Sequence, residues 1–187
     1  FARLRAWEEV NKLPHLPQRI EHVQIIAPED QPRLKALGVI ASMQPLHATS
    51  DMFTADHHWG ARSANAYALN SLLQLGTLLI FGSDAPVESA NPFLGLHAAL
   101  TRRRVSGEPG EEGWYPRQRI PLVQALNAYT SSPARSCGLG GSLGRVAVGY
   151  RAGLTVLPRS PFLIDPHDLA SLLPEMTLVD GKVVFQV

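Results

Sequence analysis

The sequence predicts an α/β fold, a parallel sheet covered by helices, with a small β-domain after it. Three observations predict it. Residues 19–84 repeat a strand–helix–glycine–strand phrase, visible in Leu37-Gly38-Val39-Ile40 and Leu75-Gly76-Thr77-Leu78. The run Thr77-Leu78-Leu79-Ile80-Phe81 is nearly unbroken and apolar, as strands buried on both faces are. After about Gly138 this grammar stops, and Gly140, Gly141, Gly144, Gly149 and Gly153 punctuate short β-prone pieces.

The elements follow in order. Phe1 to Val10 is helix-like, and a chain that opens this way on a residue other than Met is expected to be a fragment entered in mid-fold. Arg19–Ile26 reads as a strand. Pro28-Glu29-Asp30 opens a helix, since proline suits the first turn and acids suit its positive end. Leu34, Ala36 and Leu37 give that helix its apolar stripe, and Gly38 stops it. Val39–Met43 is the next strand, ended by Pro45. A polar loop is expected from Asp51 to Ser63, then a helix from about Asn65 to Leu75, closed by Gly76. The strand Thr77–Phe81 ends at Gly82-Ser83-Asp84. Asn91-Pro92 starts a helix through about Arg103, a loop covers Ser106 to Arg119, and Pro121 opens a helix to Tyr129. Gly153–Leu157 is β-prone, and Thr177–Val179 and Lys182–Phe185 flank Asp180-Gly181, a strong hairpin signal. Residues 140–187 therefore read as strands of a small β-domain.

Composition narrows the function. Apolar residues are 45% of the 187, enough for a core. The net charge of +1 offers no basic surplus for a nucleic acid backbone. Arg102, Arg103 and Arg104 form the one basic cluster and are expected at a solvated helix end. No apolar run approaches the roughly 20 residues of a membrane span. A single cysteine, Cys137, excludes an internal disulfide framework and reads as a structural thiol. No signal peptide is visible, and a cytoplasmic protein is expected. No Gly-rich phosphate loop stands between a strand and a helix, and Gly-x-Ser-x-Gly is absent.

In parallel α/β folds, reactive residues collect where strands end. His22 closes Arg19-Ile20-Glu21-His22, His47 lies just past Val39–Met43, and Asp84 follows Thr77–Phe81. Neighbouring strands lie about 5 Å apart, so side chains at their ends can share one cation. Imidazole and carboxylate both suit zinc. By pattern alone, a histidine after a strand is more often a hydrogen-bonded loop residue, and an aspartate after Gly-Ser a turn or cap residue. His57-His58 is read as loop, His97 as packed or surface, and His15 and His167 show no ligand spacing.

Combined phrases are more specific. Arg19-Ile20-Glu21-His22, Leu37-Gly38-Val39-Ile40-Ala41-Ser42-Met43-Gln44-Pro45, and Gly82-Ser83-Asp84-Ala85-Pro86-Val87-Glu88 with Asn91-Pro92 resemble the amidohydrolase superfamily. Within it they are similar to the amidohydrolase 3 group, the YtcJ-like branch. Tyr129-Thr130, Pro133-Ala134-Arg135, Gly138 and Gly141-Ser142-Leu143-Gly144 extend the resemblance over nearly the whole chain. It implies the C-terminal part of a (β/α)8 barrel, about strands six to eight, in residues 1–139. An accessory β-domain segment follows in 140–187.

The resemblance also implies roles. His22 matches the metal-binding histidine of strand six. Asp84 matches the strand-eight aspartate that touches the metal and takes a proton from water. Gln44 and His47 would face the substrate. The family's His-x-His pair, its bridging lysine or carboxylate and its strand-five histidine have no match in this chain. Gly153 stands where relatives often carry Asp. The implied activity is metal-dependent hydrolysis of a small-molecule amide or related C–N bond, with zinc as the expected cofactor. Two ligands alone would hold zinc poorly, so little activity is expected of this chain by itself. The competing reading is a non-catalytic remnant whose open strand edges favour a homo-oligomer.

Overall fold

A computed structural model describes residues 2–10 and 17–187, and His15 lies outside the described residues. The first helix, α1, is Ala2–Val10. Three short strands then form a parallel sheet. They are β1 (Arg19–Glu21), β2 (Ile40–Met43) and β3 (Leu79–Phe81), in that spatial order. Arg19 pairs with Ile40, and Ala41 with Leu79, so the three run in step. Central β2 and flanking β3 are buried throughout, whereas β1 is an exposed edge.

The expected repeat is real, and its terminators explain it. Helix α2 (Gln31–Ala36) and helix α4 (Leu69–Gln74) each end on a leucine followed by a left-handed glycine, Gly38 at φ 65° and Gly76 at φ 77°. The next residue reaches back in both cases. Val39 N–H donates to Leu34 O at 2.8 Å, and Thr77 N–H to Leu72 O at 3.0 Å. This glycine turn satisfies the free carbonyls of the helix end and feeds the chain into the next strand.

Three expectations are corrected. The strand expected over Arg19–Ile26 ends at Glu21, because the backbone turns sharply at His22. The polar loop expected from Asp51 to Ser63 is mostly helix: α3 spans Pro45–Trp59, and a 3-10 turn covers Gly60–Asn65. Pro45 suits its first turn. Ala48, Met52 and Ala55 are fully or almost fully buried at helical spacing, a stripe too small to stand out among polar neighbours. The polar residues act as ties. Tyr67 donates to Asp51, and Asp56 accepts from Ser63 Oγ at 2.6 Å and from Trp114 Nε1 at 3.0 Å.

The third correction concerns the basic cluster. Helix α5 (Pro92–Thr101) ends at Arg102, left-handed at φ 57° with no exposed surface. Its guanidinium donates to Trp114 O at 3.0 Å and Tyr67 O at 3.2 Å and lies over the Trp114 ring. Burial pulls its proton affinity below the ordinary arginine range. Carbonyl dipoles and a ring face replace water here, so Arg102 is an internal tie and not a solvated charge.

Helices α6 (Leu122–Tyr129) and α7 (Ser131–Ser136) complete the cover of β3. Tyr129 packs edge-on against Phe81 at 5.5 Å and lies so close to Gly95 that a Cβ there would meet its hydroxyl at 1.9 Å. The main core joins Val39, Met43, Leu72, Phe81, Leu96 and Ala125 to Ile164, Leu169 and Leu172 from the later segment. His97 adds a polar link, with Nδ1 3.1 Å from Pro166 O. The second sheet is antiparallel, with β4 (Leu154–Val156), β5 (Met176–Val179) and β6 (Lys182–Gln186) in that order. Asp180 and Gly181 turn the hairpin at φ 49° and 78°, and Arg151 grips the Asp180 carboxylate with two hydrogen bonds. Among the described residues no helix is long and apolar enough to cross a membrane.

Two predictions follow from this packing. Arg102→Ala strands the carbonyls of Tyr67 and Trp114 and lowers stability by about 2–4 kcal/mol, read from the urea unfolding midpoint. His97 is held below its ordinary value of 6.5, mainly by burial. The unfolded chain therefore binds a proton there before the folded chain does. Stability falls as pH drops through about 6.5 toward the lower folded value. Urea midpoints at about pH 7 and about pH 5.5 check this, and a midpoint that rises with acid contradicts it.

Candidate metal centre

Because the three strands run parallel and in step, their carboxyl ends share one rim. His22 comes directly after β1, Gln44 directly after β2, and Asp84 three residues after the end of β3. Local backbone then aims the side chains. Val23 N–H donates to Glu21 O at 2.9 Å, closing a γ-turn with His22 at its centre and φ at 67°. That form of turn is rare and strained. Asp84 is also left-handed, at φ 59°, and its carbonyl accepts from Val87 N–H at 2.8 Å. Such conformations cost about 1 kcal/mol or more for a residue with a Cβ, and His and Asp are among the types that adopt them most. Strain at both strand ends marks a place where side-chain direction matters more than backbone comfort.

The side chains converge. His22 Nδ1 lies 4.0 Å from Asp84 Oδ2, and His47 Nε2 lies 3.9 Å from the same oxygen. The two imidazoles stack with centroids 6.0 Å apart and planes 22° from parallel. One ligand atom from each of His22, His47 and Asp84 falls within 4.8 Å of the others. Their exposure is graded: Asp84 and His22 are partly open, and His47 is buried. Gln44, also buried, places Oε1 3.0 Å from His22 Nδ1.

One atom tests whether a cation fits. His47 Nε2 is buried and has no hydrogen-bond partner among the described residues. A buried polar atom left unsatisfied is unfavourable by about 1–3 kcal/mol. It faces a carboxylate oxygen beyond hydrogen-bond reach, with a second imidazole alongside. Two nitrogens and one carboxylate oxygen are the three protein ligands of an open catalytic zinc site. The donor set therefore fits a divalent cation, and a bound cation would satisfy the orphaned nitrogen.

The rim is braced from outside. Ser50 Oγ, one turn along α3, donates to Glu88 Oε1 in the loop after Asp84. Asn91 caps α5 by accepting from Phe93 N–H at 2.9 Å. The other singled-out histidines lie elsewhere. His57 and His58 meet edge to face on the exposed last turn of α3, in helix rather than the expected loop. His97 and His167 pair away from the rim, and Cys137 is exposed. Sequence reasoning placed His22, His47 and Asp84 at strand ends, but gave the cation to His22 and Asp84 and left His47 to the substrate. The available signal was Pro45, which puts His47 in the first turn of a helix, next to the end of β2.

Comparison with known proteins identifies the family. The model of the Amidohydrolase family matches residues 2–185. A Bacillus subtilis (strain 168) protein named "Putative amidohydrolase YtcJ" is 31% identical over 169 residues, 90% of this chain and 32% of that protein. N-substituted formamide deformylase of Arthrobacter pascens is 26% identical over 170 residues, 90% of this chain and 31% of that enzyme. The crystal structure of an uncharacterized metal-dependent hydrolase from Pyrococcus horikoshii OT3 aligns with a TM-score of 0.70 at 28% identity, over 85% of this chain and 32% of that one. The chain thus spans about a third of the length of the curated relatives it matches. With strand-end histidine and aspartate on one rim and a family match from residue 2 to residue 185, the chain belongs to the amidohydrolase family.

Proposed function

We propose that the whole protein is a metal-dependent hydrolase acting on small-molecule amides or other non-peptide C–N bonds. The carrying observation is the buried His47 Nε2, without a hydrogen-bond partner among the described residues and 3.9 Å from Asp84 Oδ2 on the rim that also holds His22. The family match and the resemblance to a formamide deformylase support the choice of bond. On this reading, residues 1–139 are the C-terminal part of a (β/α)8 barrel, with β1, β2 and β3 as its sixth to eighth strands. Residues 140–187 are part of an accessory β-domain.

His22 and Asp84 would hold the cation, and His47 adds a third donor. Zinc suits two imidazoles and a carboxylate, although manganese and iron accept the same ligands. When bound, such an ion polarises a carbonyl oxygen and lowers the pKa of water to about 7. The protein's own part is positioning and proton transfer. Asp84 Oδ2 faces the imidazoles, so Oδ1 is the atom left to take the water's proton and return it to the leaving nitrogen. Gln44 and His47 line the rim where the substrate carbonyl would lie. Turnover also needs groups outside this chain, and the 187-residue chain alone is proposed to be inactive. Cation binding is a separate matter, because three donors reach the number that open zinc sites use.

In the complete protein, Asp84→Asn lowers turnover of N-acyl or cyclic amides on the order of 10²–10⁴-fold. Its unfolding midpoint stays equal or rises, since asparagine tolerates a left-handed backbone. Near-normal turnover in that variant refutes the proton-transfer role. His47→Ala weakens zinc retention by more than about tenfold in metal analysis after dialysis. Equal zinc content in the two forms removes His47 from the ligand set.

A further inference from the structure

We propose that Tyr67 is a positioning residue for the metal centre: it clamps the segment that carries His22 to the helix that carries His47. The inference rests on the metal-centre reading above and names what keeps two of its donors in register.

The argument starts from strain. His22 is followed by Val23, and both are left-handed, at φ 67° and 41°. Such backbone is uncommon for histidine and an outlier for a β-branched residue. Two strained residues in a row keep their shape only if the chain is held on either side. Before them, β1 is paired with β2, Glu21 opposite Ser42. After them the sheet gives no further support, because β1 has ended. The hold comes from a distant segment. Ile25 forms an isolated antiparallel bridge with Ala66, and Tyr67 N–H donates to Gln24 O at 2.9 Å.

Tyr67 can bear that load because all its polar groups are fastened. Its N–H holds Gln24, its carbonyl accepts from Arg102 Nη1 at 3.2 Å, and its hydroxyl donates to Asp51 Oδ2. Its ring lies 6.2 Å from that of Trp114, and the residue is only 1% exposed. Burial, and then the Asp51 carboxylate, raise the proton affinity of the hydroxyl above the ordinary tyrosine range, so it stays a donor.

The far end of the clamp gives it meaning. Asp51 stands four residues after His47 in α3, one turn along the same face. Gln24 stands two residues after His22. Tyr67 therefore grips one donor's segment with its backbone and the other donor's helix with its side chain. Ser50, beside Asp51, ties the same helix to the loop after Asp84 through Glu88. Helix α3 is thus fixed to both flanking loops, and Tyr67 supplies the tie on the His22 side. Packing against Trp114 needs only the ring, so the hydroxyl separates the clamp from a simple core role.

Tyr67→Phe keeps ring and backbone and removes that hydroxyl alone. Two readouts are taken well below the unfolding midpoint. One is the NMR ring-to-ring NOE between His22 and His47 in metal-free protein, whose rings stack at 6.0 Å. The other is zinc affinity by titration. Tyr67→Phe is expected to lose the NOE and about tenfold in zinc affinity, the low end for loss of an outer partner. Asp51→Ala does the same, and adding it to Tyr67→Phe costs nothing more. Asp51→Asn keeps an acceptor and retains both readouts. Should Tyr67→Phe fail to fold, Asp51→Ala carries the test. A core role alone lowers the unfolding midpoint and leaves both readouts as in wild type, and that result overturns the proposal. An NOE that persists in Tyr67→Phe or Asp51→Ala overturns it whatever the zinc affinity. Absence of zinc binding by wild type sinks the metal-centre reading, while the NOE still decides the clamp.

Discussion

The structure depends on a simple constraint: three strands that run the same way must end on the same side. Hydrogen-bonded pairing of β1, β2 and β3 sets their spacing at about 5 Å and their ends nearly level. A histidine, a glutamine and an aspartate placed after those ends become neighbours although His22 and Asp84 stand 62 positions apart in the chain. The helices α2 and α4 and their glycine stops exist to make the return journeys. The rest of the core, from Leu34 to Leu172, keeps the sheet from shearing.

Precision beyond that spacing comes from strain. A regular strand would alternate His22 and its neighbours above and below the sheet. The γ-turn at His22 and the left-handed Asp84 break the alternation and turn both side chains to one point. Such conformations persist only where surrounding packing over-determines them. Here that packing includes Val23 in the core behind His22, and the Ser50–Glu88 bond across the loop after Asp84.

Much of this was legible in the sequence. The repeat ending in Leu37-Gly38 and Leu75-Gly76 identified the parallel sheet, because a left-handed stop after a helix leaves few residues free to stand there. Asp180-Gly181 announced its hairpin for the same reason, and strand-end placement singled out His22 and Asp84. Helix α3 was hidden because its buried stripe is alanine and methionine, while its charged and hydroxyl residues make tertiary ties that look like loop composition. Arg102 was misread because partners far along the chain, Tyr67 and Trp114, supply what solvent ordinarily would. His47 was legible as a pocket residue after β2, but its approach to the other two donors depends on helix α3, which composition hides. No local pattern carries contacts of that kind.

The graded exposure of the three donors has a consequence for how the centre fills. Asp84 stands partly in water, at 38% side-chain exposure, whereas His47 keeps only 8%. Were the centre to hold a cation, the exposed carboxylate would be the donor that solvent reaches, and its charge would attract an ion over a distance. The secluded nitrogen of His47 would be the donor that solvent does not reach. On that arrangement, Asp84 would govern arrival and His47 would govern retention.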